Sequence, residues 1–399
     1  VSRLEDVWRR EAPHVLGALV RRYGDFDACE DAVQEALLQA AVQWPRDGEP
    51  RQPRGWLLRT ASRRLVDARR SEGSRRRREE RVQAEPEPGA TAADDQLQLL
   101  VLCCHPALTP ASQVALTLRA VAGLTTAQVA AAFLVPEPTM AQRISRAKAT
   151  LREAGARFEP PAPDELEARL PAVRHVLYLV FTEGHTSSGG ADLVRHDLAG
   201  EALRLTRDLH RRLPDDPETA GLLALILLLV ARLPARTDVA GDLVPLAQQD
   251  RSRWDTALTA EGIALIERTL PRGAVGRFQL EAAIAAVHAE AADAGSTDWP
   301  QVVVLYAMLD QVAPGTAVTL ARAVALAEAD GPQAGLRLVD PLLADRRTAR
   351  LHRVHAVRAH LLERAGRREE AVAAYREAAR LTTSIPEQRY LNRRAKAAG

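Results

Sequence analysis

The sequence predicts an all-α protein built from several helical units, and three observations carry that prediction. Hydrophobic residues make up 46% of the 399-residue chain but aromatics only 4%, so the cores must be made of Ala, Leu and Val, a palette that favours helix. Apolar residues recur at three- and four-residue spacing, the period of an amphipathic helix. The length exceeds one ordinary core, so two to four domains are expected. They are separated by "SEGSRRRREERVQAEPEPGATAADD" (71–95) and "EPPAPDEL" (159–166), which are rich in charge or Pro and lack apolar periodicity.

Residues 4–44 read as two helices. Leu4, Val7, Trp8, Val15 and Leu19 share one face, "RYGDFD" interrupts, and Val33, Ala36, Leu37 and Ala40 form a second stripe. Trp44 precedes Pro45, which disfavours helical geometry at 44, so that helix is expected to end there and "PRDGEPRQP" to be a loop. A third helix, "RGWLLRTASRRLVDARR", runs to about residue 70. The expected organisation is a helical domain at 1–72, a flexible charged linker at 73–96, a compact helical domain at 97–158 and a helical extension at 159–399.

"VLCCHPAL" (101–108) places Cys103, Cys104 and His105 side by side. Adjacent helical residues point about 100° apart, and two vicinal cysteines with one His fall short of a closed tetrahedral zinc site. The cysteines therefore read as small buried apolar residues at a helix end, with Pro106 starting a turn, and no metal or cofactor is expected. Three cysteines make no disulfide framework, which fits a reducing cytoplasm. "LLALILLLV" (222–230) is shorter than the roughly 20 residues of a membrane helix and reads as a buried one. The first residues lack a secretory pattern, and no membrane association is expected.

A net charge of +2 conceals segregation. Residues 1–50 hold six Arg against ten acids, whereas 51–81 hold twelve Arg against four. Arg143, Arg146, Lys148 and Arg152 form a second cluster with no acid until Glu153. Lys148 and Lys396 are the only lysines, so cationic work falls to Arg, whose planar fork suits phosphates and guanine edges.

"LTTAQVAAAFLVPEPTMAQRISRAK" (124–148) is the most informative stretch. Thr125 and Gln128 form a capping-box pair, with Val129 and Phe133 on the buried side. After the turn "LVPEP", Pro138 suits a first helical turn. Met140, Ile144, Ala147 and Leu151 then make one buried stripe, leaving Thr139, Gln142, Arg143 and Arg146 outward. Helix, tight turn and a helix with a Gln/Arg outer face is the layout of a helix-turn-helix, whose second helix enters the major groove.

The block "LTPASQVALTLRAVAGLTTAQVAAAFLVPEPTMAQRISRAKATLREA" resembles region four of sigma-70-type factors of the extracytoplasmic-function class. "DAVQEALLQA" with "PRGWLLRTASRRLVDARR" resembles their region two. "CCHPALTPASQVALTLR", "YLVFTEGHTSSGG", "QDRSRWD" and the near match "DVAGDLVPL" are similar to a subgroup with a long C-terminal extension containing tetratricopeptide repeats. The resemblance implies a bacterial, non-enzymatic protein that lends promoter specificity to core RNA polymerase. It implies that Asp31, Gln34, Glu35 and Leu38 meet the clamp helices of the largest subunit, and that region four meets the flap. It assigns Arg59, Arg63, Arg64 and Arg69 to the opened −10 element, with Trp56 either a core anchor or a base-stacking platform. Thr139, Gln142, Arg143, Arg146 and Lys148 fall to the −35 duplex. "VPEP" departs from relatives with Ser before the recognition helix: Pro136 gives up a side-chain cap, and Glu137 either repels phosphate or accepts from a cytosine amine. "RRRREER" either follows nucleic acid or the RNA exit path, or simply solubilises.

Residues 352–385 fit one tetratricopeptide unit, with Ala359, a turn at Gly366, and Ala371, Tyr375 and Ala378 packing the second helix. "AVTLARAVALAEADGPQAGLRLVDPL" is a weaker copy. By the same resemblance the extension contacts the sigma domains within the chain and replaces a separate anti-sigma factor; a requirement for productive polymerase binding is favoured over inhibition. Glu183, His185, His196 and Asp197 suggest a metal enzyme, but no "HExxH" spacing supports it, and structural histidines are expected. The rival readings are a helix-turn-helix regulator that never engages polymerase and a pure repeat scaffold.

Overall fold

Gly24, at φ +75°, turns the chain where the sequence reads "RYGDFD", a conformation glycine adopts without steric cost. It separates α1 (Arg3–Tyr23) from α2 (Phe26–Asp47), and Asp25 caps α2 by accepting from the Ala28 amide at 3.1 Å. With α3 (Pro53–Gly73) they form a three-helix module whose core contains Val7, Val15, Leu19, Val33, Leu37, Leu57 and Leu65. The computed structural model describes residues 3–73, 92–133, 135–159, 163–186, 192–270 and 275–399. The "RRRREER" tract and most of the expected linker lie outside them.

The expected end of α2 at Trp44 is corrected: the helix runs through Pro45 to Asp47. A proline inside a helix forfeits one backbone hydrogen bond. Here Trp44 is buried and meets Trp56 edge-on with ring centroids 5.4 Å apart, a contact worth about 0.5–1.5 kcal/mol beyond its burial. The Gly48 amide closes the end by donating to the Trp44 carbonyl at 2.9 Å.

The second module contains α4 (Ala92–Cys103), α5 (Pro110–Leu116), a π-helical turn (Thr117–Val121), α6 (Thr126–Ala132) and α7 (Glu137–Glu153). α4 therefore begins inside the segment assigned to the linker. The capping box is present: Thr125 Oγ1 accepts from the Gln128 amide at 3.1 Å, and Gln128 Oε1 accepts from the Thr125 amide at 2.9 Å. Met140, Ile144, Ala147 and Leu151 are buried, as their spacing predicts.

The chain forms two compact units, Val1–Leu179 and Val180–Gly399. Their division falls inside α8 (Pro163–His185) rather than at residue 159. The proline-rich stretch ends one element, but α8 is a single helix, and its buried Leu170, Val173, Val176 and Leu177 belong with the first unit.

The second unit continues through α9 (His196–Arg212), α10 (Pro217–Ala231), α11 (Thr256–Thr269), α12 (Arg277–Glu290), α13 (Trp299–Val312), α14 (Thr316–Asp330), α15 (Pro332–Val339), α16 (His352–Arg364), α17 (Arg368–Leu381) and α18 (Ile385–Ala398). α10 carries "LLALILLLV", and most of the run Pro217–Ala235 is buried inside the protein. Gly221 lets α10 and α12 approach closely, since a Cβ there would stand 2.6 Å from the Gln279 nitrogen. Neighbouring helices pack in sequence. The hairpins α14–α15 and α16–α17 fall where the sequence places repeat-like units, with Ala359, Ala371, Tyr375 and Ala378 buried between them and α18. The Tyr375 hydroxyl donates to Glu363 at 2.6 Å.

Candidate nucleic-acid interface

α2 buries one stripe and turns the other outward. Asp31, Glu35 and Leu38 are exposed and Gln34 is half-buried, its Nε2 donating to Glu30 Oε1 at 2.8 Å. Leu38 is 63% exposed and Val42, one turn on, 60% exposed. Two uncovered aliphatic side chains one turn apart follow Glu35 on the outer face of α2.

On α3, Arg59 and Arg63 are exposed, and Arg64 is exposed with Nη1 3.2 Å from Glu35. Trp56 is half-buried against Trp44, which makes it an anchor of the module with part of its ring accessible. Arg69 lies near the end of α3, beyond the described side chains.

On α7, Thr139, Gln142 and Arg146 are exposed, and Arg146 donates to Gln142 Oε1 at 3.1 Å. Arg143 is half-buried, its guanidinium 5.2 Å from the Phe133 ring centre, so a cation–π contact aims it. α7 starts at Pro136 without a side-chain cap, as the "VPEP" departure suggests.

Lys148 departs from the expected DNA-facing set. It is 7% exposed, and its Nζ lies 2.6 Å from Asp27, 3.1 Å from Glu30 and 2.8 Å from Asp31. Its place in the helix explains why: Lys148 follows Ile144 by four residues and so lies on the buried stripe, not the outer face. Burial pulls its pKa down, but the Glu30 charge and the hydrogen bonds to Asp27 and Asp31 together hold it above the ordinary lysine value. Arg119, inside the π-helical turn, adds Nε at 3.0 Å from Glu30, and Arg152 reaches Asp27 at 3.0 Å. The N-terminal turns of α2 are thus clasped by cations from the second module, and the set includes Asp31.

Glu30, 5% exposed, and Arg119 are the residues that sequence reading missed. The signal was available for Glu30, which lies three and seven residues before Val33 and Leu37 on the apolar stripe; a carboxylate there demands a buried cation. For Arg119 no comparable signal exists, because the π-helical turn shifts the register of its neighbours.

Cys103 ends α4 in the core, and burial raises its thiol pKa well above the ordinary value. Burial pushes Cys104 up to about 12 against the opposing effects of a Thr117 hydrogen bond and Arg169. Both are neutral packing groups at physiological pH. His105 Nδ1 accepts from the Ala107 amide at 3.2 Å, tying the turn at Pro106. His185 is buried beside Phe181 with ring centroids 5.3 Å apart; burial, then Arg236 and Arg232, lower its pKa well below the ordinary value. His196 is exposed. Among the described residues, no three His, Cys, Asp or Glu side chains gather in a way that could hold a metal ion.

Comparisons with known proteins fall along these modules. Residues 7–75 match sigma-70 region 2, residues 98–151 match sigma-70 region 4, and residues 169–270 match a family of unknown function, DUF6596. Two such regions in this order, on two helical modules of which the second holds a helix-turn-helix, are similar to those of sigma-70-type factors. The chain belongs to one family with an uncharacterized protein of Rhizobium meliloti (strain 1021), to which it is 40% identical over 397 residues, 95% of this chain and 92% of the relative. It is also 30% identical over 168 residues to the Mycobacterium tuberculosis protein named "Probable ECF RNA polymerase sigma factor SigI", covering 38% of this chain and 56% of that one. No solved structure matches the chain.

Proposed function

We propose that this chain is a sigma factor of the extracytoplasmic-function class that directs core RNA polymerase to particular promoters, with activity set by its own C-terminal helical extension. The observation that carries the reading is the outward strip of α2, in which exposed Leu38 and Val42 sit among Asp31, Glu35 and Gln34. A DNA-binding regulator alone has no use for an uncovered aliphatic strip on an acidic helix, whereas a subunit that docks on a larger enzyme does.

In this reading the domains are 1–72, 73–96, 97–158 and 159–399. The α2 strip meets the clamp helices of the polymerase's largest subunit, and the second module meets the flap. Arg59, Arg63, Arg64 and Arg69 follow the phosphates of the opened −10 strand, where successive cations are needed and stacking surfaces hold splayed bases. Trp56 offers the exposed part of its ring. Thr139, Gln142, Arg143 and Arg146 enter the −35 major groove, where Gln pairs with adenine edges and Arg with guanine. Lys148 takes no part in DNA contact and holds the two modules together. The whole cycle belongs to the cytoplasm.

The extension is read as tetratricopeptide-like and as required for productive polymerase binding, without a separate anti-sigma factor. Its support is the pair of consecutive helical hairpins α14–α15 and α16–α17.

Run-off transcription tests the assignment. Purified full-length protein plus core polymerase should initiate at promoters identified by sequencing transcript starts after overproduction. A protein that binds those promoters but yields no transcript is a regulator and not a sigma factor.

A further inference from the structure

The second unit carries a half-open cavity of about 410 Å³, within the size range of small-molecule sites. It joins Pro245–Ala247 and Arg251, inside the DUF6596 match, to helices beyond that match: His288, Trp299, Tyr306, and residues of α14, α16 and α18. Most of its wall is aliphatic or aromatic.

One side is cationic and polar. Arg251 Nη1 donates to the carbonyls of His288 and Ala291, and its guanidinium lies 4.8 Å from the centre of the Trp254 ring. Arg232 is not on the wall, but its charge acts on Arg251, His288 and Tyr306, which are. Its buried Nε has no hydrogen-bond partner among the described residues, and burial lowers its pKa to about 10 against the opposing effect of Tyr306, the Arg251 charge adding to the fall. Thr297 faces the cavity at 6% exposure, with a buried Oγ1 that likewise lacks a partner. The acid on the wall, Glu328, is paired with Arg364 and does not offset these charges.

A buried hydroxyl left unsatisfied on the wall costs stability unless something answers it. From this geometry we propose that the cavity is a binding site for a small amphipathic organic anion, its apolar or aromatic body against Trp299 and Tyr306 and its acidic group toward Arg251 and Thr297. The extension is then a receptor as well as a scaffold. This assignment does not depend on which promoters the first unit reads.

The test uses the full-length protein and two fluorescent probes of similar shape, the anionic 1-anilinonaphthalene-8-sulfonate and the neutral N-phenyl-1-naphthylamine. The anion should bind with one site and at least tenfold more tightly than the neutral probe. Ala321→Phe, which fills the cavity, should abolish binding of both. Thr297→Val should weaken the anion severalfold with no loss of thermal stability, because the hydroxyl it removes is unpartnered. Arg251→Gln, which keeps a donor for the His288 and Ala291 carbonyls, should erase the preference for the anion while leaving binding of the neutral probe unchanged. Equal affinity for the two probes, no saturable binding of either, or binding indifferent to Ala321→Phe would overturn the proposal.

Discussion

Lys148 shows how a single side chain is misread when charge is weighed ahead of period. Beside Arg143, Arg146 and Arg152 it looks like part of a cationic surface, yet the interval from Ile144 puts it on the buried stripe, where three carboxylates from α2 receive it. Removing one partner from a buried ionic cluster leaves the others uncompensated, at a cost of about 3–5 kcal/mol. Arg119 still answers Glu30 and Arg152 still answers Asp27 after such a change, and Asp31 is largely exposed, so Lys148→Met should fall below that range, at about 1–2 kcal/mol, read as a lower urea midpoint at unchanged slope. The pH dependence has a definite sign. The folded pKa is raised, so the contribution is complete below the unfolded value of about 10.4 and is lost as pH rises through the folded one. A wild-type and variant pair whose stability difference stays constant into strong alkali would show that the charge is not what matters.

At the scale of the element, helices were legible where period and capping chemistry agreed. The Thr125–Gln128 box, the Met140–Leu151 stripe and the Gly366 turn all appear where the spacing puts them. α2 was misjudged at its end because a local rule about Pro45 met a non-local contact, Trp44 on Trp56, that no window of sequence displays. Of the residues expected on its outer face, Asp31, Glu35 and Leu38 stand exposed and Gln34 is half-buried against Glu30, with Val42 exposed beside Leu38. That face yields a prediction. Leu38→Glu removes an aliphatic group that is already in water, so stability should change by less than about 0.5 kcal/mol. Affinity for core polymerase should fall by more than tenfold, because a charge would be carried into a desolvated contact. Co-elution with core polymerase, alongside thermal melting, separates the two effects. Full retention of binding would remove α2 from the docking surface.

For the whole molecule, composition and breaks announced helical units in the right order but not where compactness divides them. "EPPAPDEL" looks like a hinge, yet the first unit runs on to Leu179 because α8 is one helix whose Leu170, Val173, Val176 and Leu177 are all buried. The tertiary partners of a helix following a proline-rich stretch are invisible to a sequence window, which shows only the break. This matters for any truncation meant to ask what the extension does. A chain ended after Glu159 loses the second unit and also the buried part of α8, with Arg169 beside Cys104 and His105; failure to transcribe would then mix two causes. A chain ended after Thr186 keeps α8 whole. If the extension is required for productive polymerase binding, the 1–186 chain should match the full-length protein in the thermal melting of its first unit and still give less than about a tenth of the run-off transcript. Each 1.4 kcal/mol of lost coupling is worth a factor of ten. The 1–159 chain should fail in both measurements. Full transcription by the 1–186 chain would show that the second unit is dispensable for initiation, leaving the cavity between Arg251 and Trp299 as a site that acts on something other than polymerase binding.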